Sequence, residues 1–277
     1  MSRFLAYTRL MSLLAISILA LLFCAAATFA SMLGIGGGFL FTPMQVLSGE
    51  DIHRAATTSN VMMMALSLSA TLIYRKAKKV DWKTAAVFQI FLVSGAFIGG
   101  YTSKFIPAVP TTLILCTFLI AGGISMLFPA RTRPHPENRH PLISWRRTTA
   151  GETYCINLLI ALPLSFVAGL ASGVLGIGGG LITVPMMSIC FGVPIDIAIA
   201  TSTFMVGLTA FGGASGHTLA GHLDWKTALI LTPSALIGAR IGAKLMLRSD
   251  RNKLKKIFAI LLFIVAAALL AKTVASF

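Results

Sequence analysis

Charge is scarce in this chain. Only 11% of its 277 residues are charged, and 8 of them are acidic. Soluble domains carry roughly a quarter charged residues, so an ordinary soluble enzyme fits poorly. Cysteine is scarcer still: Cys24, Cys116, Cys155 and Cys190 are singletons inside apolar stretches, with no CxxC pair. That scatter fits small buried side chains, and neither a disulfide framework, a metal site nor another cofactor is expected from it. No Asp or Glu falls deep in an apolar block; Asp51, Asp81, Glu152, Asp196 and Asp224 all sit at block ends. A buried carboxylate proton relay is therefore missing. So is the base that a buried nucleophile needs, which disfavours an intramembrane enzyme.

Apolar residues are what the chain has in excess, at 56%. Residues 10–33, 55–74, 84–103, 105–130, 153–195, 197–223 and 257–271 contain no Asp, Glu, Lys or Arg. Apolar runs of about 18 or more read as membrane-spanning helices. The expected fold is an all-α polytopic membrane protein with the lipid bilayer as its main solvent. Residues 1–30 resemble a signal peptide, but their counterpart recurs in mid-chain, so the segment is expected to be kept.

The net charge of +15 does not point to nucleic acid. Fifteen of 23 Lys and Arg lie in three short segments, 75–83, 131–147 and 248–256. Cytoplasmic loops carry such an excess, with attraction to anionic lipid as a secondary effect.

The chain also repeats itself. GIGGGFLFTP at 34–43 returns as GIGGGLITVP at 176–185, and DWKTA at 81–85 returns at 224–228. Thr58-Ser59-Asn60 aligns with Thr201-Ser202-Thr203, and Gly95 and Gly99 align with Gly238 and Gly242. Two transmembrane repeats, 1–130 and 151–277, are thus joined by a polar linker at 131–150 with Pro134, Pro136 and Pro141. Spans are expected at about 8–33, 55–74, 82–104 and 111–129, then 153–175, 196–216, 225–247 and 255–275. Short pieces at 39–48 and 181–191 are long enough for only half a crossing, about 15 Å. If each short piece returns the chain to the side it came from, the repeats are inverted. All three basic loops then share the cytoplasmic side, and both termini face out.

Inverted repeats with paired discontinuous segments are the pattern of secondary transporters. Broken backbone in a membrane is tolerated where it lines a cavity, and a half-helix N-terminus favours an anion. Successive glycines let a ligand reach the amides. The expected substrate site therefore comprises Gly34, Gly36, Gly37, Gly38 and Pro43 with Gly176, Gly178, Gly179, Gly180 and Pro185. The polar stretches Thr58, Ser59, Asn60 and Thr201, Ser202, Thr203 complete it. Pro43 and Pro185 suit a first helical turn, with Thr42 as a cap. Gln45 and Gln89 are weaker candidates. Asn157 reads as a helix–helix contact. Arg240 is a candidate gate or counter-charge, although snorkelling to the interface explains it more simply. His217 and His222, near an outer boundary, titrate near physiological pH when unperturbed. The two halves are expected to rock about a small anionic substrate. A membrane-embedded sensor using the basic loops is a weaker alternative, and the oligomeric state, a homo-oligomer included, is left open.

The doubled GIGGG-x-x-x-x-P, followed by Ala56-Thr57-Thr58-Ser59 and Ile199-Ala200-Thr201-Ser202, resembles the TauE/SafE family of bacterial membrane transporters. The resemblance covers nearly the whole chain. It implies an inner-membrane permease for a small sulfur-containing anion such as sulfite or an organosulfonate, working in export; uptake or export of another small anion is the alternative. It also implies that the glycine motifs and Thr-Ser stretches form the substrate region.

Overall fold

The computed structural model describes residues 20–127, 144–222, 224–248 and 251–275. These form helices α1 (Ala20–Leu33), α2 (Gly38–Leu47), α3 (Ile52–Lys76), α4 (Trp82–Thr102) and α5 (Ala108–Leu127). A hairpin follows, β1 (Ser144–Thr149) and β2 (Glu152–Asn157). Then come α6 (Leu158–Leu175), α7 (Gly180–Pro185, continued by a π-turn to Cys190), α8 (Ile195–Leu219), α9 (Trp225–Met246) and α10 (Arg251–Ala275). Six of these helices are long and apolar enough to cross a membrane. Their outward faces carry exposed apolar side chains such as Ile90, Leu159 and Leu229, as a lipid-facing surface requires.

Helix starts explain part of the repetition. Asp81 and Asp224 are the N-caps of α4 and α9, accepting from the amides of Thr84 (3.2 Å) and Lys226 (3.0 Å). Each carboxylate also accepts from the hydroxyl of the Thr three residues on. DWKTA is thus a helix-initiation signal used twice, each cap contributing about 1 kcal/mol. Asp51 caps α3 in the same way. Helix ends are equally regular: Gly34 and Gly176 take left-handed φ of 67° and 66°, which ends the incoming helix at each break.

Contacts at the helix ends set the directions of the long helices. Lys79, just after α3, pairs with Asp196 at the start of α8 (2.9 Å). At the opposite ends, His53 stacks on His222, with ring centroids 5.0 Å apart. The aligned helices α3 and α8 therefore run antiparallel, between a basic end and a histidine end. Ser69 and Ser31 donate to the carbonyls of Leu236 and Ala239, and Tyr74 donates to that of Ser31. These bonds run α9 alongside α3, so residues 77–81 and 247–248 emerge together at the basic end. After each break the short helix turns back. Gly34 lies against Ile199 near the basic end, Gly36 lies against Met63 and Val206 midway, and α2 then leads to the histidine end. Gly176, Gly178 and α7 trace the same path in the opposite direction, past Ala56 and Met63.

Packing interleaves the sequence halves. α4 lies on α6 and α8, α9 on α1 and α3, and α5 on α10. Side chains added at Gly95, Gly99, Gly238 or Gly242 would strike the backbone of α6 or α1, so these glycines set close helix approach. One buried cluster joins α4, the hairpin, α6, α7 and the first turns of α8 through Phe88, Leu92, Tyr154, Ala168, Met187 and Ile197. The other gathers α1, α2, α3, α5, α9 and α10 and reaches into the end of α6, the second break, α7 and α8 through Leu175, Ile177, Leu181, Ile199 and Val206.

Two expectations are corrected. The span expected at 153–175 starts at Leu158, because 152–157 is strand. β-branched and aromatic residues (Trp145, Thr148, Thr149, Thr153, Tyr154 and Ile156) flank Ala150-Gly151, whose φ values of 53° and 84° make a tight hairpin turn. Thr42 and the two prolines do not start their helices: α2 begins at Gly38, Pro43 lies inside it, and Pro185 leads into the π-turn. Residues 8–19 of the first expected span, the last two of the 111–129 span and 131–143 of the linker lie outside the described residues.

Candidate functional site

The two glycine breaks meet inside the protein. Met63 and Val206, aligned residues of α3 and α8, both touch Gly36 and Gly178. A methyl on Gly38 would strike the Gly176 carbonyl, and one on Gly180 would strike the Ile35 carbonyl. Thr42 Oγ1 donates to the Gly176 carbonyl (3.1 Å), tying α2 to the opposite break. Among the described residues, the amides at 36–38 and 178–180 have no hydrogen-bond acceptor.

The breaks differ in one dihedral and one side chain. Gly37 has a φ of −83°, whereas Gly179 has a left-handed φ of 71°. At the first break the Phe41 ring sits over Gly37, where an added methyl would collide with it. At the second, Thr183 aligns with Phe41 and bonds Ser202 Oγ instead (2.8 Å). A methyl on Gly179 would fit without a clash, at ordinary contact distance (3.5–3.8 Å) from Leu92, Thr209 and Ser172. On this side of the protein several polar atoms lack partners: Ser172 Oγ, Gln89 Oε1 and both amide atoms of Asn60 are buried and unbonded. Asn60 lies against Gly213, one turn along α8 from Thr209, and Gln89 Nε2 donates to Thr209 Oγ1 (3.3 Å). In the first repeat, Ser172 and Thr209 align with Ala30 and Leu66. The polar site is therefore one-sided.

Other expected site residues serve elsewhere. Ser59 accepts from Gln45 Nε2 (3.0 Å) and Ser202 pairs with Thr183, so each fastens a short helix to the long helix after it. Thr203 Oγ1 bonds its own helix at Ile199 (2.8 Å) and Thr58 is buried in α3. Thr201 Oγ1 accepts the Asp81 amide (2.9 Å) at the basic end. Asn157 caps α6. Arg240 is exposed on α9. Ser172 and Thr209 were not singled out from sequence. A hydroxyl in an apolar helix is the one available signal, and many such residues only bond their own backbone.

A clasp closes the basic end. Arg147 and Tyr154 of the hairpin hold Asp81 at 2.7 and 2.6 Å. Burial alone pushes the Asp81 carboxyl up; bonds from Arg147, Thr84 and Tyr154 outweigh it and hold the pKa at about 2. Burial and the adjacent carboxylate push the Tyr154 hydroxyl up. At the histidine end, His217 bonds the Gly173 carbonyl (2.7 Å) and Ser103 Oγ (3.1 Å), and its ring lies 5.8 Å from His222. Burial, then the neighbouring His53, lowers the His222 pKa. Among the described residues no group of three or more His, Cys, Asp or Glu is placed to hold a metal ion.

The family model described as "Sulfite exporter TauE/SafE" matches residues 18–269. The chain is 32% identical to a probable membrane transporter protein, YunE, of Bacillus subtilis, over 91% of this chain and 96% of that protein. It is 27% identical to a probable membrane transporter protein of Xylella fastidiosa (85% and 87% covered). A probable membrane transporter protein of Haemophilus influenzae is 23% identical (91% and 94%). No solved structure matches. Together with the membrane-spanning helices, these matches make the protein a multi-pass membrane transporter, and the chain belongs to the TauE/SafE sulfite exporter family.

Proposed function

We propose that this transporter moves a small sulfur-containing oxyanion, such as sulfite or an organosulfonate, out through the bacterial inner membrane. The observation that carries the reading is the contact between two glycine breaks whose amides lack acceptors, beside the buried unbonded groups of Asn60, Gln89 and Ser172. Backbone N–H groups at a half-helix start supply positive potential without a buried cation. Inverted repeats are supported by the antiparallel run of α3 and α8 and by short helices that turn back from the middle. The basic end faces the cytoplasm by the charge bias of membrane loops. The family description supports sulfite and export, and an inside-negative potential drives anions outward. Of the expected site residues, those around Gly179 and Asn60 carry binding in this reading; Arg240 is a lipid-headgroup contact.

Reconstituted protein is expected to release tracer sulfite from liposomes. Gly179→Ala adds a methyl to the site without a clash, at a backbone cost of about 1–2 kcal/mol. Efflux should fall about tenfold or more while the protein stays folded and monodisperse. Wild-type liposomes that do not release sulfite reject the function; an unaffected Gly179→Ala variant rejects the site.

A further inference from the structure

The donor and acceptor inventory at Gly179 says more about the ligand than its sign. We infer that the bound species is a singly charged oxyanion that still carries a proton, hydrogen sulfite rather than sulfite dianion. This rests on the oxyanion reading above and narrows it.

Charge comes first. The side chains placed at Gly179 or next to Thr209 are Leu92, Ser172, Thr209, Gln89 and, one turn along α8, Asn60, all neutral. The desolvation cost of an ion grows with the square of its charge, and repayment inside a protein needs a partner of opposite charge or many hydrogen bonds. Amides and hydroxyls without a cation suit one negative charge far better than two.

Acceptors come second. Thr209 Oγ1 donates its only proton to the Met205 carbonyl (2.8 Å), so towards Gln89 it can only accept. Gln89 therefore presents its NH2 to Thr209, and its Oε1 is left as a free acceptor, buried and unbonded. Asn60 contributes a second unbonded carbonyl oxygen whichever way its amide is turned, because neither of its polar atoms has a partner. The proposed site thus offers donors, in the amides at 178–180, the Asn60 NH2 and the Ser172 hydroxyl, together with two carbonyl acceptors. A fully deprotonated oxyanion has only acceptors and would leave both carbonyl oxygens facing negative charge. An oxyanion bearing a hydroxyl gives its proton to one of them and takes protons from the rest. A site built to bind an O–H discriminates strongly against an analogue lacking it.

Titratable groups lie on the histidine side of Gly179, next to Ser172. His217 of α8 is bonded to the Gly173 carbonyl of α6 and to Ser103 after α4; His222 and His53 lie beyond it, with Asp51 and Arg54 of the α3 start acting on His222. A control anion separates the ligand's own ionisation from any effect of pH on the protein. Methanesulfonate serves here, being a monoanion of similar shape with no acidic proton near neutral pH.

The experiment is equilibrium binding to the full-length protein in lipid nanodiscs, with sulfite, methanesulfonate and sulfate at about pH 6 and about pH 8.5, on either side of the second ionisation of sulfurous acid. At the lower pH, sulfite should bind about tenfold or more tightly than methanesulfonate, and sulfate most weakly. Raising the pH should weaken sulfite in step with the loss of hydrogen sulfite while methanesulfonate stays level. Gln89→Leu should bring sulfite and methanesulfonate closer together. Methanesulfonate binding as tightly as hydrogen sulfite, or sulfite binding more tightly at the higher pH, overturns the inference and leaves oxyanion transport standing. If none of the three anions binds, the oxyanion reading falls and takes this inference with it. The wild-type comparison decides the matter even if the Gln89 variant does not fold.

Discussion

Gly180→Ala is expected to abolish the folded transporter. The added methyl would lie on the backbone of Ile35, touching its carbonyl oxygen, carbonyl carbon and Cα together. Flexible side chains yield to such a clash, but this contact is backbone on backbone between two breaks that hold each other. Overpacking a well-filled interior costs about 1–3 kcal/mol when neighbours adjust. Here the adjustment must separate the two breaks and disturb the Thr42 bond to the Gly176 carbonyl, so the loss should reach or exceed the top of that range. Gly38→Ala should behave alike, because its methyl would strike the Gly176 carbonyl. Gly221→Ala makes the contrast: its φ is 85° and nothing lies within 4 Å, so only the backbone penalty of about 1–2 kcal/mol applies. Monodisperse yield and thermal unfolding in detergent measure all three. A Gly180→Ala protein as stable as Gly221→Ala would mean that the breaks do not touch as described.

Asp81→Asn should be the most damaging substitution away from the glycines. Asp81 is 2% exposed and binds Arg147, Tyr154, Thr84 and, through its amide, Thr201. Removing one member of a buried ion pair strands the other and costs about 3–5 kcal/mol. The pH dependence has a definite sign. The folded pKa of about 2 lies below the unfolded value of about 4. Asp81 therefore stabilises the fold fully above about pH 4, and the contribution drains away as pH falls towards about 2. Wild-type protein should lose unfolding temperature over that window, and the Asn variant, already lowered at neutral pH, should lose less. Equal unfolding temperatures for wild type and variant at neutral pH would show that the clasp contributes nothing.

Much of this architecture was legible in the residues. Apolar run lengths locate the long helices, and the two GIGGG motifs locate the breaks, because φ values near 67° and 66° at Gly34 and Gly176 tie glycine to the helix ends. The recurrence of DWKTA has a local cause in the Asp caps. The proposed site is only half legible. In the motifs Asn60 and Gly179 stand out no more than Thr58, Ser59, Thr201, Ser202 and Thr203, of which all but Thr58 have bonds of their own within the protein. What separates them is the partner across the interface. Phe41 covers Gly37 while Thr183 turns to Ser202, and nothing in a string of apolar residues tells which ring will fold back on which glycine. Ser172 and Thr209 went unnoticed because a hydroxyl in a hydrophobic helix gains meaning only from what its neighbours leave unbonded. The hairpin was missed because six-residue strands next to a long apolar run look like part of that run.

The interleaved helices bear on how access can alternate. A swing of residues before the linker against those after it would pull α4 off α6 and α9 off α1, where glycines hold the backbones nearly in contact. The buried clusters follow the same interleaving: the larger one joins α1, α2, α3, α5, α9 and α10 to Val174 and Leu175 of α6, Leu181 and Val184 of α7, and Val206 and Ala210 of α8. A swing about the linker would therefore open a shared core as well as the glycine-held contacts.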